Sequence, residues 1–146
     1  MPVVDDSIII NRPRSEVFTF AASPENVPLY SSNIIEYEQV TEGPLGKGTR
    51  NRGSGKLAGK RIDFTLEVVE FDEGGRMASR TTESPFPFEL DVTYEDADDG
   101  TRILWHQESP AFGGFFGKLA DPLVTRMYAK DVRSNLEKLK VLLEAE

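Results

Sequence analysis

An α+β domain, with a curved antiparallel sheet of about seven strands wrapped around one long C-terminal helix, is what this sequence predicts. Three observations carry that expectation. Phe86, Phe88, Leu90, Val92 and Tyr94 alternate with Pro87, Glu89, Asp91 and Thr93, the pattern of a half-buried strand. Leu119, Leu123 and Met127 fall on one helical face, and Tyr128, Val132, Leu136, Leu139 and Leu143 continue an apolar stripe to the end. An aromatic, glycine-rich stretch, residues 112–117 (FGGFFG), joins the two patterns. A helix this long needs a broad apolar surface to lie on, and a sheet bent around it tends to leave a hollow between them.

The remaining elements follow in order. The β-branched run Ile8-Ile9-Ile10 reads as the first strand. Pro13 then suits a helix start, where its missing N–H costs nothing, and Glu16 favours the positive end of that helix. Ser23-Pro24-Glu25 repeats the start signal, and Pro28 keeps this second helix short. Residues 34–41 and 49–56 read as strands. Gly53 and Gly55 inside the second of these point to a bulge or to close approach by another group. Ile62, Phe64, Leu66 and Val68 alternate cleanly until Val69 and Phe71 switch parity, which predicts a bulge near Val68. Strands over 76–82, 86–94 and 101–109 complete the set, separated by the turns at Asp72-Glu73-Gly74-Gly75 and Asp96-Ala97-Asp98-Asp99-Gly100. Asp121-Pro122 either starts the last helix or kinks a longer one.

Composition narrows the function. A chain of 146 residues without a linker suits one domain over 1–146. With no cysteine, thiolate chemistry and disulfides are excluded, and with one histidine a zinc site has too few ligands. No metal and no cofactor are expected. A net charge of -8 argues against nucleic acid as a partner, despite the local density of Arg50, Arg52, Lys56, Lys60 and Arg61. The N-terminus has no basic-then-apolar signal, and no apolar run is long enough to span a bilayer, so a cytoplasmic location is expected.

Residues 10–18 (INRPRSEVF), 23–28 (SPENVP), 43–50 (GPLGKGTR) and 136–143 (LEKLKVLL) carry a family resemblance in their order and spacing. The chain resembles the START/Bet v 1-like superfamily, and within it the bacterial polyketide cyclase/dehydrase-like branch. That resemblance spans nearly the whole sequence. It implies a helix-grip fold and a cavity between sheet and C-terminal helix that takes a hydrophobic or aromatic small molecule, such as a lipid, polyketide or quinone. It departs from a typical pattern at Val27-Pro28-Leu29-Tyr30, where a tryptophan often lies. Members include carriers and aromatase/cyclases, and the fold does not choose between them.

The residues expected to line the cavity are Phe64, Arg80, Phe86, Phe88, Tyr94, Trp105, Phe112, Phe115, Phe116 and Met127. Trp105 offers area and one N–H donor, Tyr94 a hydroxyl, and an inward Arg80 would anchor an acidic group. Each has an ordinary alternative: core packing for Trp105 and the phenylalanines, a strand end for Tyr94, and an outward position for Arg80. If Ile103, Trp105 and Gln107 face inward, His106 points out with Arg102 and Glu108. The 112–116 segment reads either as a mobile gate, able to touch a membrane or a partner, or as a cap on the core. No catalytic motif appears. There is no Gly-x-Ser-x-Gly elbow, and the 53–60 stretch fails the phosphate-loop spacing because Ser54 replaces a glycine and Arg61 the hydroxyl. A binding or carrier module, a cyclase/dehydrase-type enzyme and a protein-interaction module therefore remain the three readings.

Overall fold

The computed structural model describes residues 2–110, 112, 114–117 and 120–145. Strand β1 (Val3–Ile10) is followed by α1 (Arg14–Ala22), a single 3-10 turn at Pro24–Asn26 and the short α2 (Val27–Tyr30). Six further strands run β2 (Ile34–Gln39), β3 (Arg50–Leu57), β4 (Lys60–Asp72), β5 (Arg76–Glu83), β6 (Glu89–Ala97) and β7 (Gly100–Glu108), before α3 (Asp121–Glu144). All seven form one antiparallel sheet in the order β1-β7-β6-β5-β4-β3-β2. This is the helix-grip fold.

Five of the six connections join neighbours directly. The exception carries the chain from β1 at one border to β2 at the other, through the short helices. The expected bulge lies in β4: Val68 pairs with Ser79, but Glu70 pairs with Ala78. The extra residue bends the longest strand of the sheet and so helps curl it around α3.

Two expected elements differ. Phe86 and Phe88 precede β6 instead of belonging to it. Pro87 has no N–H for a ladder, and its carbonyl accepts from the Ser109 hydroxyl (2.6 Å). Strand-like bonding resumes at Phe88, whose N–H donates to Thr81 Oγ1 and whose carbonyl accepts from Thr81 N–H. The second difference is the face of α3. Asp121-Pro122 starts this helix, and its inward row is Val124, Tyr128, Val132, Leu136, Leu139 and Leu143. Leu123 (59% exposed) and Met127 (41% exposed) lie one residue off that row, about 100° around the axis, and face solvent. Leu119 lies outside the described residues.

The buried side chains form two groups. The larger joins β1, β6 and β7 to α1 and the C-terminal half of α3, around Ile10, Val17, Ile103, Val132, Leu136 and Leu139. The smaller joins β3 and β4 to the start of α3, around Leu57, Ile62, Phe64, Leu66, Phe86, Phe112 and Val124. Helix α3 also covers the β1 border. Arg133 donates to Asp6 Oδ1 (3.0 Å) and Ser7 O, and Lys140 donates to Ile9 O (2.6 Å). These contacts occupy carbonyls that an edge strand would otherwise present to another chain.

Gly100 opens β7 where β1 ends. A Cβ there would stand 2.2 Å from the Ile10 carbonyl oxygen, a backbone atom with nowhere to go. Gly100→Ala should therefore cost about 2–3 kcal/mol in urea denaturation. Gly46→Ala, at a glycine with open space around its Cβ position, should cost little.

His106 lies on the outer face. Its Nδ1 is 2.5 Å from Asp5 Oδ1 on β1, and its Nε2 is 3.7 Å from Glu108. The hydrogen bond to Asp5 is the main cause that raises its pKa above 6.5, with Glu108 and Asp91 adding to it. A raised folded-state value means that the protonated ring stabilises the fold below the unfolded pKa, and that this contribution is lost as pH rises through the folded value. Comparing urea midpoints between about pH 6 and 8, His106→Gln should remove this part of the pH dependence.

Candidate functional site

A cavity of about 150 Å³ lies between the sheet and α3, where the two buried groups meet. Its wall is largely aromatic and aliphatic. Strands β3 and β4 contribute Leu57, Ile62, Phe64 and Leu66, while β5, β6 and β7 contribute Met77, Leu90, Val92, Tyr94, Trp105 and Gln107. The first helices add Ala21, Ala22, Val27 and Tyr30, and α3 adds Thr125, Tyr128 and Asn135. The inward parity of β7 follows from its register. Ile103, Trp105 and Gln107 stand opposite Tyr94, Val92 and Leu90, whereas His106 stands opposite Asp5 and Asp91 on the outer face.

Of the residues expected at the cavity, Phe64, Phe86, Phe88, Tyr94, Trp105 and Phe112 stand in its wall. Phe115 and Phe116 pack behind it. The Phe86 ring is 4.8 Å from Phe112, 5.8 Å from Phe115 and 5.7 Å from Phe116, and the last two meet edge to face at 4.9 Å. Lys60 ties this aromatic group down, donating to the Phe115 carbonyl (2.6 Å) with its ammonium 4.8 Å from the ring centre. Arg80 and Met127 are elsewhere. Arg80 pairs across the sheet with Glu67 and Glu89 and is exposed on the outer face, because the β4 bulge and the β5–β6 register turn Met77 and Ser79 inward instead. Met127 faces solvent on α3.

The glycines of β3 have a definite role. A Cβ on Gly53 would come within 2.7 Å of the Phe64 ring and 2.8 Å of Tyr37, so the bare backbone lets both aromatics lie flat against the strand. Their rings stand 6.3 Å apart in the cavity wall.

All four tyrosines of the chain line the cavity, three of which, Tyr30, Tyr37 and Tyr128, sequence reasoning passed over as site residues. Tyr30 donates to Ala21 O (2.6 Å), fixing α1 to α2. Tyr128 donates to Gln107 Oε1 (2.6 Å), fixing α3 to β7. Burial pushes all four hydroxyl pKa values up, that of Tyr37 to about 12, so each stays protonated at neutral pH. At the rim, Asn135 bridges α3 to the loop before β2. It donates to Asn33 Oδ1 (3.0 Å) and accepts from Ser32 N–H (3.2 Å). Lys56 and Glu108 are the charged residues among the described lining, Lys56 exposed and Glu108 partly so.

A sheet gripping a long helix over an apolar hollow defines the START/Bet v 1-like class. Comparison with known proteins narrows this. Residues 1–144 match the family described as polyketide cyclase/dehydrase and lipid transport, and the chain belongs to that family. Among solved structures it is similar to the protein TTHA0849 from Thermus thermophilus, with 25% identity, a TM-score of 0.82, and 99% of this chain and 98% of that chain covered. A START superfamily protein from Mycobacterium smegmatis has a TM-score of 0.78 at 13% identity, covering 97% of each chain. Ginseng major latex-like protein 151 from Panax ginseng has 0.73 at 17% identity, again covering 97% of each. No curated protein matches the sequence.

The Tyr128–Gln107 bond joins helix to sheet directly beside the cavity. Tyr128→Phe leaves the Gln107 oxygen without its partner and should cost about 1 kcal/mol in denaturant unfolding, with the fold retained by circular dichroism.

Proposed function

We propose that this protein binds and carries a hydrophobic small molecule in the cavity between the sheet and α3. The observation that carries this reading is an apolar hollow of about 150 Å³ left between two otherwise well-filled groups of side chains. Cavities of that volume with apolar walls stay dry and accept small aromatic guests. Burial of apolar surface, at about 25 cal/mol per Å², supplies the affinity, and the few polar groups fix orientation. Membership of a family that includes lipid transport supports the same reading.

Carriage is favoured over acid–base catalysis by the character of the wall. The tyrosines hold their protons tightly, and the lining carboxylate, Glu108, stands next to His106 on the outer-facing parity of β7. A cyclase would need an acid or base aimed at the guest.

The test is retention. Native mass spectrometry of the protein after exposure to a lipid extract should show an added mass, and solvent extraction should release an apolar compound. Leu90→Trp, which fills the hollow from β6, should fold yet lose the added mass. Equal retention by Leu90→Trp would reject the cavity as the binding site.

A further inference from the structure

The geometry points to Phe86 as the residue that sets how large a guest this cavity takes, limiting it to a single ring with a short side chain and leaving the long chain of a lipid outside. This inference rests on the carrier reading above and specifies the size of the guest and the side chain that fixes it.

Volume is the first constraint. A hollow of about 150 Å³ matches apolar cavities that take a guest of benzene size. The second constraint is what surrounds it. Lining residues from the larger buried group, such as Ala21, Tyr30 and Tyr94, are held in helices and strands. Those from the smaller group include Phe86 and Phe112, which stand on the connections before β6 and after β7. Their rings are 4.8 Å apart, and the contacts continue from Phe86 to Phe88 at 6.0 Å and from Phe88 to Phe64 at 5.7 Å. All four rings stand in the wall, so the chain's own phenylalanines take up this side of the space between sheet and α3.

Phe86 is the centre of that group. It is buried, and besides Phe88 and Phe112 it meets Phe115 at 5.8 Å and Phe116 at 5.7 Å. Those two rings are only partly buried, so Phe86 stands between the hollow and the outer aromatic pair. Its backbone is fixed as well. Phe86 N–H donates to Ser84 Oγ (3.4 Å), the Pro87 carbonyl accepts from the Ser109 hydroxyl (2.6 Å), and Phe88 N–H donates to Thr81 Oγ1 (3.2 Å). A ring held in this way acts as a stop. Unlike Leu57, Ile62, Phe64 and Leu66, Phe86 belongs to no strand, so shortening it removes wall without breaking a ladder.

The test is a series of para-alkylphenols, from para-methylphenol to para-octylphenol, titrated by calorimetry. Each methylene that finds room in an apolar hollow raises affinity about fourfold. On the wild-type protein the affinity should rise over the first members and stop rising by para-butylphenol. Phe86→Ala should move that break outward by about three methylenes and leave para-methylphenol within about threefold of its wild-type affinity. A site that is merely destabilised would weaken every member alike and keep the break in place. Phe86→Leu, the milder change, should move the break less far and serves if Phe86→Ala does not fold. A wild-type affinity that climbs without a break to para-octylphenol overturns the size limit, and a break unmoved in both variants overturns the role of Phe86; either result leaves the carrier reading standing. No binding across the series, while a lipid extract still adds mass, likewise overturns the inference alone. No binding in either experiment overturns both.

Discussion

The structure depends on the way α3 lies against the sheet. Val132, Leu136 and Leu139 are almost wholly buried, each contributing on the order of 1.5–3 kcal/mol by leaving water, and they press the second half of the helix onto β1, β6 and β7. The first half packs elsewhere. From Tyr128 back to Val124 the helix meets the second buried group, where Phe86 and Phe112 pack beside it. The same helix is thus a core element at one end and a roof at the other. The bulge in β4 bends the strand that supplies Ile62, Phe64 and Leu66 to the wall of the hollow.

Polar contacts hold this roof in register. Tyr128 on Gln107, Asn135 on Asn33, and Arg133 and Lys140 on the carbonyls of β1 tie α3 to three separate parts of the chain. Each bond is modest in net stability, but together they define how the helix is placed over the sheet. Apolar packing alone tolerates sliding, whereas directional bonds at several points do not.

Much of this could be read from residue patterns. The alternation in β4 and β6 and the parity of Ile103, Trp105 and Gln107 placed the inward side chains, and the parity switch at Val69 located the bulge. These signals are local, set by the two-residue period of a strand. The errors were of another kind. Arg80 could not be oriented without the β4–β5 register, which the bulge itself shifts. Leu123 and Met127 share a face with each other, but the helix turns a neighbouring face inward, a choice made by what lies beneath it. Phe86 and Phe88 kept a strand-like spacing while Pro87 removed the ladder bond that a strand needs. Tyr30, Tyr37 and Tyr128 gave no sign of convergence, because they meet only after β1 crosses to β2 and the C-terminal helix returns. Gly53 was the one hint, a gap in a strand waiting for the rings of Tyr37 and Phe64.

Trp105 is the only tryptophan of the chain, and it stands in the cavity wall. Ultraviolet emission excited at the indole band therefore originates at one place, next to whatever occupies the hollow. The protein carries its own optical gauge of occupancy: water, an empty space and a bound guest each give that single ring a different polarity to report, with no label attached and no second indole to blur the reading.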